Sequence, residues 1–140
     1  MEKTDVALRY FREGYSCSQA VLMALSGENG TAAKCAAAFG GGMGRMQKTC
    51  GAVTGAYIWL GMNYGLPGIP DEADKSRIYC RVREFNRIFI ERNATDQCHE
   101  LLGADLNTPE GKERIARLGL IEKVCEKCIR DAIEIIGSFD

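Results

Sequence analysis

Apolar residues along this chain recur every three or four positions and almost nowhere alternate with polar ones, a pattern that predicts helices and no sheet. A first helix starts at Thr4 or Asp5, carries Val6, Ala7, Tyr10 and Phe11 on its apolar side, and ends at Gly14. The second runs from Ser16 through Ala20, Val21 and Leu25 to Gly27, and Ser16 with Gln19 three residues on forms a capping-box pattern. A third covers Ala32 to Phe39, where Gly40-Gly41-Gly42-Met43-Gly44 interrupts it, because glycine costs a helix interior about 1 kcal/mol against alanine. From Cys50 to Gly61 the residues are apolar all round, which predicts a buried, central helix. Gly51 and Gly55 share one face of it and Ala52 and Ala56 another, so a partner backbone can approach closely.

Beyond Pro67 and Pro70, Asp71 caps a long helix with Ile78, Val82, Phe85 and Phe89 as its inward stripe and Arg77, Arg81, Arg83, Glu84 and Arg87 mostly in solvent. Asn93 ends it. A short helix at Cys98 follows. Thr108-Pro109-Glu110 then opens another with proline at its first position, and Gly119 separates that from a last helix, Leu120 to Ile136. In this last helix Ile121, Val124, Cys125, Cys128, Ala132, Ile135 and Ile136 make one apolar stripe, so both thiols should face inward. The expectation is an all-α, single-domain bundle of six to eight helices, with no repeat or linker. A chain of 140 residues, 46% hydrophobic, can bury such a core without disulfide staples.

Charge narrows the partners. With 18 Lys and Arg against 19 Asp and Glu the net charge is −1 and the pI about 5.9, which leaves no electrostatic footprint for nucleic acid. The start Met1-Glu2-Lys3-Thr4-Asp5 lacks a signal-peptide plan, and the longest nearly uncharged stretch, Cys50 to Pro70, is broken by five glycines and two prolines. A cytoplasmic protein without membrane insertion is expected, associating with copies of itself.

The seven cysteines carry the candidate chemistry. In a reducing compartment they are packing residues, metal ligands or redox thiols, and an odd number argues against a closed disulfide framework. Three of them stand at predicted helix starts. Cys17 follows Ser16; Cys50 follows Thr49; Cys98 comes shortly after Thr95 and Asp96, both acceptable N-caps. Unpaired N–H groups and a partial positive charge favour thiolate there. Cys128, or Cys125 in a competing register, would add a thiol projecting from the last helix, if the bundle gathers them. An i, i+3 pair inside a helix is poorly placed to close on itself, so each needs a partner elsewhere. Cys35 and Cys80 are read as small buried hydrophobes with no role.

Other features have ordinary readings. The Gly40–Gly44 loop lacks a P-loop ending and is read as a tight chain reversal. Arg45 and Lys48 would either lower the Cys50 pKa or lie in solvent, His99 would serve Cys98 or the surface, and Tyr57, Ile58 and Trp59 read as core.

The spacing of Cys17, then Cys50-Gly51-Ala52-Val53-Thr54-Gly55, then Cys98 in Cys98-His99-Glu100-Leu101-Leu102-Gly103, then a cysteine near the carboxyl end, resembles the C_GCAxxG_C_C family, whose members are ascribed redox activity. The likeness spans nearly the whole chain. It implies four characteristic cysteines, here Cys17, Cys50, Cys98 and Cys128 with Cys125 competing for the last place, and it carries no substrate or cofactor.

Three functions are compatible with these residues. A thiol-disulfide oxidoreductase would use Cys50 to attack an oxidised partner protein or small disulfide, and Cys17, Cys98 or Cys128 to resolve the mixed disulfide. A metal or iron–sulfur protein would use the same four thiolates, with Cys125 in reserve, as ligands. Since His99 is the sole histidine, such a site would be thiolate-rich. A non-catalytic assembly module would use the cysteines for packing and the small-residue helix for dimerisation.

Overall fold

The computed structural model describes residues 2–27 and 29–139. Among them eight α-helices form: α1 (Lys3–Glu13), α2 (Cys17–Ser26), α3 (Gly30–Ala36), α4 (Gly51–Tyr64), α5 (Glu72–Asn93), α6 (Cys98–Leu102), α7 (Pro109–Leu118) and α8 (Glu126–Gly137). The all-α expectation holds, and the helix boundaries follow the local signals. Ser16 and Gln19 close the capping box of α2, and Asp71 and Asp74 close an equivalent one on α5. The Thr108 side chain accepts from the Gly111 N–H ahead of α7. No helix among the described residues is long and apolar enough to cross a membrane.

The helix α4 lies at the centre, packed by α2, α5 and α8, with Gly51 to Ala56 all buried. Its small residues decide how close α2 comes. A Cβ on Gly55 would sit 2.6 Å from the Ser18 carbonyl oxygen, and one on Gly51 would meet the Ser18 nitrogen at 3.0 Å and Cys17 Cβ at 3.1 Å. The small-residue face is therefore filled within the same chain and is not free for dimerisation. On the far side of α4, Tyr57 meets Phe85 edge to face at 5.6 Å, and Phe85 and Phe89 are fully buried. Burial of side chains this size contributes about 1.5–3 kcal/mol each.

Three stretches depart from the helical pattern. The third predicted helix stops at Ala36 and tightens into a 3-10 turn, Ala37–Phe39. The last one opens with a π-helical turn, Ile121–Cys125, before α8. Such a turn inserts a residue into the helical register, and turns of this kind are frequent at functional sites. Between α3 and α4 the predicted reversal is a left-handed coil: Gly41, Gly42, Met43, Gly44 and Arg45 all have φ between 58° and 72°, and Gln47 has 55°. Each non-glycine residue in that conformation costs about 1–2 kcal/mol. The coil is held by Gln47 N–H and Lys48 N–H donating to the carbonyls of Gly41 and Gly42, both at 3.0 Å.

Two cysteine assignments are corrected. Cys35 and Cys80 are exposed. The short α3 buries only Ala32 and Ala36, and Cys80 falls on the outer side of α5, away from the Phe85 and Phe89 stripe.

Candidate thiol site

Cys50 and Cys98, nearly fifty residues apart, are brought side by side by a short antiparallel backbone pairing. The Cys50 N–H donates to the Asp96 carbonyl at 2.7 Å, the Cys98 N–H donates to the Lys48 carbonyl at 2.6 Å, and Thr49 and Gln97 face each other between them. Gln47 clamps this pairing from below. Its Nε2 donates to the Ala104 carbonyl at 2.8 Å and its Oε1 accepts the Leu106 N–H at 2.8 Å, which fixes the chain beyond α6. The left-handed coil then closes over Cys98, and a Cβ on Gly42 would lie 2.8 Å from Cys98 Cβ.

Above these residues opens a cavity of about 550 Å³, walled by the coil, the starts of α2 and α4, α6 and the π-helical turn. Cys17, Cys50, Cys98, Cys125 and Cys128 all line it. Every cysteine expected at the site is thus brought to one cavity, and both Cys125 and Cys128 are present, because the π-helical turn and the first turn of α8 present them to the same space. All seven cysteines of the chain are free thiols.

Within the cavity the thiols fall into two matched pairs. Cys128, 1% exposed, and Cys50, 6% exposed, belong to one buried cluster and bear most strongly on each other's charge. Cys17 and Cys125, both half-buried, line the same cavity, and Cys125 is the largest influence on the Cys17 thiol. In the inner pair the anion is favoured on Cys50. Donation from the Cys128 thiol pulls its pKa below the ordinary thiol value, the N–H groups of Ala52 and Val53 add to this, and burial opposes it. Its sulfur faces these N–H groups without closing a strict cap hydrogen bond, and the Val53 N–H also donates to the Cys50 carbonyl at 3.0 Å. Cys128 moves the opposite way, pushed up by holding its proton against Cys50 and by burial.

The expectation that each helix start activates its thiol therefore needs correction. Cys50 is itself the N-cap of α4, in place of Thr49, and it alone of the three is lowered. Cys17 is raised well above the ordinary value, because its thiol donates to Cys125 and burial disfavours the anion. Cys98 is pushed up to about 12, chiefly by burial and then by the neighbouring Cys50 and Cys125. The α6 N-cap is Gln97, without a side-chain cap; Thr95 instead accepts the Gln97 N–H, and Asp96 is held by Asn86 at 2.7 Å.

Arg45 lines the cavity wall but is exposed, as is Lys48, and the largest influences lowering Cys50 are the Cys128 thiol and backbone N–H groups. His99 is exposed and its N–H donates to the Gln47 carbonyl, a surface position. Tyr57 and Trp59 pack against the core. Gln47 and the Arg12–Glu126 pair were not singled out by sequence reasoning. Arg12 grips Glu126 through two bonds, 2.7 and 3.1 Å, tying α1 to the residue that follows Cys125. Neither carries a motif, and only long-range contact marks them.

The cysteine arrangement has a counterpart among known proteins. The profile of a family described as putative redox-active protein, C_GCAxxG_C_C, matches residues 15–139. The chain belongs to this family. No curated protein and no solved structure matches it. For this C_GCAxxG_C_C protein the matched segment takes in all five cavity cysteines, from Cys17 to Cys128. Among its described residues no group of three or more Cys, His, Asp or Glu side chains is spaced to share one metal ion.

Proposed function

We propose that this protein performs thiol-disulfide exchange with Cys50 as the attacking thiolate and Cys128 as the resolving thiol. The observation that carries the reading is the placement of Cys50, the N-cap of α4, and Cys128 in one buried cluster on the wall of a cavity of about 550 Å³, where each is the largest influence on the other's thiol. The Cys50 thiolate attacks one sulfur of the substrate disulfide RS–SR, forming a Cys50 mixed disulfide and releasing RS⁻. The Cys128 sulfur then attacks Cys50 Sγ and passes its proton to the second departing RS group, so the Cys50–Cys128 bond forms and RSH leaves. Two electrons move from the protein dithiol to the substrate, with one RS⁻ and one RSH as products. The raised Cys128 pKa suits a residue that keeps its proton until the mixed disulfide forms beside it.

The test traps the first intermediate. Cys128→Ser incubated with oxidised glutathione should accumulate a glutathione adduct at Cys50, read by peptide mass spectrometry, while the native chain should instead yield a Cys50–Cys128 crosslink. Adduct formation at Cys17, Cys98 or Cys125 with Cys50 unmodified, or four-thiolate metal found by elemental analysis of anaerobically purified protein, would overturn the assignment.

A further inference from the structure

The exchange reading uses two of the five cavity thiols, and it leaves a difficulty of access. Cys50 and Cys128 are 6% and 1% exposed, so a small disulfide entering the cavity can meet them but the surface of a protein dithiol cannot. Cys17 and Cys125, half-buried on the same cavity, stand nearer to solvent, and Cys125 is the largest influence on the Cys17 thiol. Cys17 also sits against the first residue of α4, since its Cβ is 3.1 Å from where a Cβ on Gly51 would lie, next in the chain to Cys50. The two pairs are thus adjacent as well as separately matched, and Cys98 is the thiol left over, packed under Gly42 of the left-handed coil.

Resting on the exchange reading, we infer that Cys17 and Cys125 form a second redox couple, which takes the disulfide from Cys50–Cys128 and carries it to the mouth of the cavity. The transfer balances without any outside reagent. Cys17 Sγ bonds to Cys50 Sγ, the Cys50–Cys128 bond breaks, and Cys128 takes the proton that Cys17 gives up. Cys125 Sγ then bonds to Cys17 Sγ, the Cys17–Cys50 bond breaks, Cys50 leaves as the thiolate, and the Cys125 proton passes to solvent. In this second step the sulfur expelled is the one that best bears negative charge, which favours its departure, whereas the first step needs the Cys17 proton to pass to the departing Cys128. The inner pair is then ready for a second substrate, and an external dithiol can regenerate the outer pair where it is accessible. Arg12 and Glu126 give the outer pair a fixed frame, because they tie α1, which lies ahead of Cys17, to the residue after Cys125.

The decisive measurement uses the native chain. Fully reduced protein is mixed with one equivalent of oxidised glutathione under nitrogen, quenched in acid at intervals, alkylated and mapped without reduction. The Cys50–Cys128 crosslink should appear first and decline as Cys17–Cys125 rises. With excess oxidant, four of the five cavity thiols should be lost in place of two. In Cys17→Ser, checked for native circular dichroism, the inner crosslink should form and persist. Cys17 and Cys125 remaining fully alkylated while Cys50–Cys128 is oxidised would overturn the second couple and leave the exchange reading standing; failure of the Cys50–Cys128 crosslink to form at all would overturn both.

Discussion

Cys50 and Cys98 open the helices α4 and α6, are joined by a short antiparallel backbone pairing and line the same cavity, yet their thiols move in opposite directions. The difference lies in what each sulfur meets. Cys50 is the N-cap of a 14-residue helix, where a side chain turns back toward the N–H groups of the second and third helical residues, and the protonated Cys128 thiol favours its anion as well. Cys98 is the first residue inside a helix of five, under the left-handed coil, where burial dominates and neighbouring sulfurs oppose a charge. A helix start lowers a thiol pKa when the sulfur occupies the cap and a donor stands opposite. Proximity to the helix end alone does not suffice.

The contrast can be broken most severely at Gly55. Gly55→Ala would drive a methyl into the Ser18 carbonyl, 2.6 Å away, and should cost about 3 kcal/mol in urea unfolding while displacing the start of α4, so Cys50 should lose its reactivity advantage. Next comes the donor. A hydrogen bond to a charged group is worth about 1.5–3 kcal/mol, so Cys128→Ala should slow alkylation of Cys50 at pH 7 by about tenfold or more and shift its pH profile upward, leaving Cys98 unreactive.

The pH dependence of stability sharpens the comparison from the other side. The folded-state pKa of Cys98 lies above its ordinary value of 9.0, so its contribution is fully present below pH 9 and is lost as pH rises toward about 12. Cys50 has the opposite sign: its contribution is present above the ordinary thiol value and is lost as pH falls through the lowered one. Cys98→Ala should accordingly show a shallower loss of stability than the native chain between pH 9 and 11, by urea midpoint. The smallest effects belong to the exposed thiols. Cys35→Ser and Cys80→Ser should change stability by less than about 0.5 kcal/mol and leave the Cys50 alkylation profile unchanged, which makes them the controls for every cysteine experiment.

How far the chain could be read in advance followed the range of the interactions. The capping box at Ser16 and Gln19, the Asp71 and Thr108 caps, and the glycine stops at Gly14, Gly27 and Gly119 depend on residues within a few positions, and all appear as expected. The close approach implied by Gly51 and Gly55 was legible too, though not that α2 is what fills it. The exposure of Cys35 and Cys80 was not, since a small apolar residue carries no sign of which helix face a neighbour will cover. Nor was the left-handed coil, whose Met43, Arg45 and Gln47 hold conformations that only the surrounding hydrogen bonds make tolerable.

By itself the amino-acid order determined a helical, cysteine-rich chain of this family and named the cysteines that line the cavity, because helix periodicity, caps and motif spacing are local properties. Tertiary structure alone decided that Cys50 meets Cys128 and Cys17 meets Cys125, and that one helix-start thiol is lowered while two are raised. Those outcomes depend on burial and on which proton donor stands opposite each sulfur, and both are set by contacts between residues far apart in the chain.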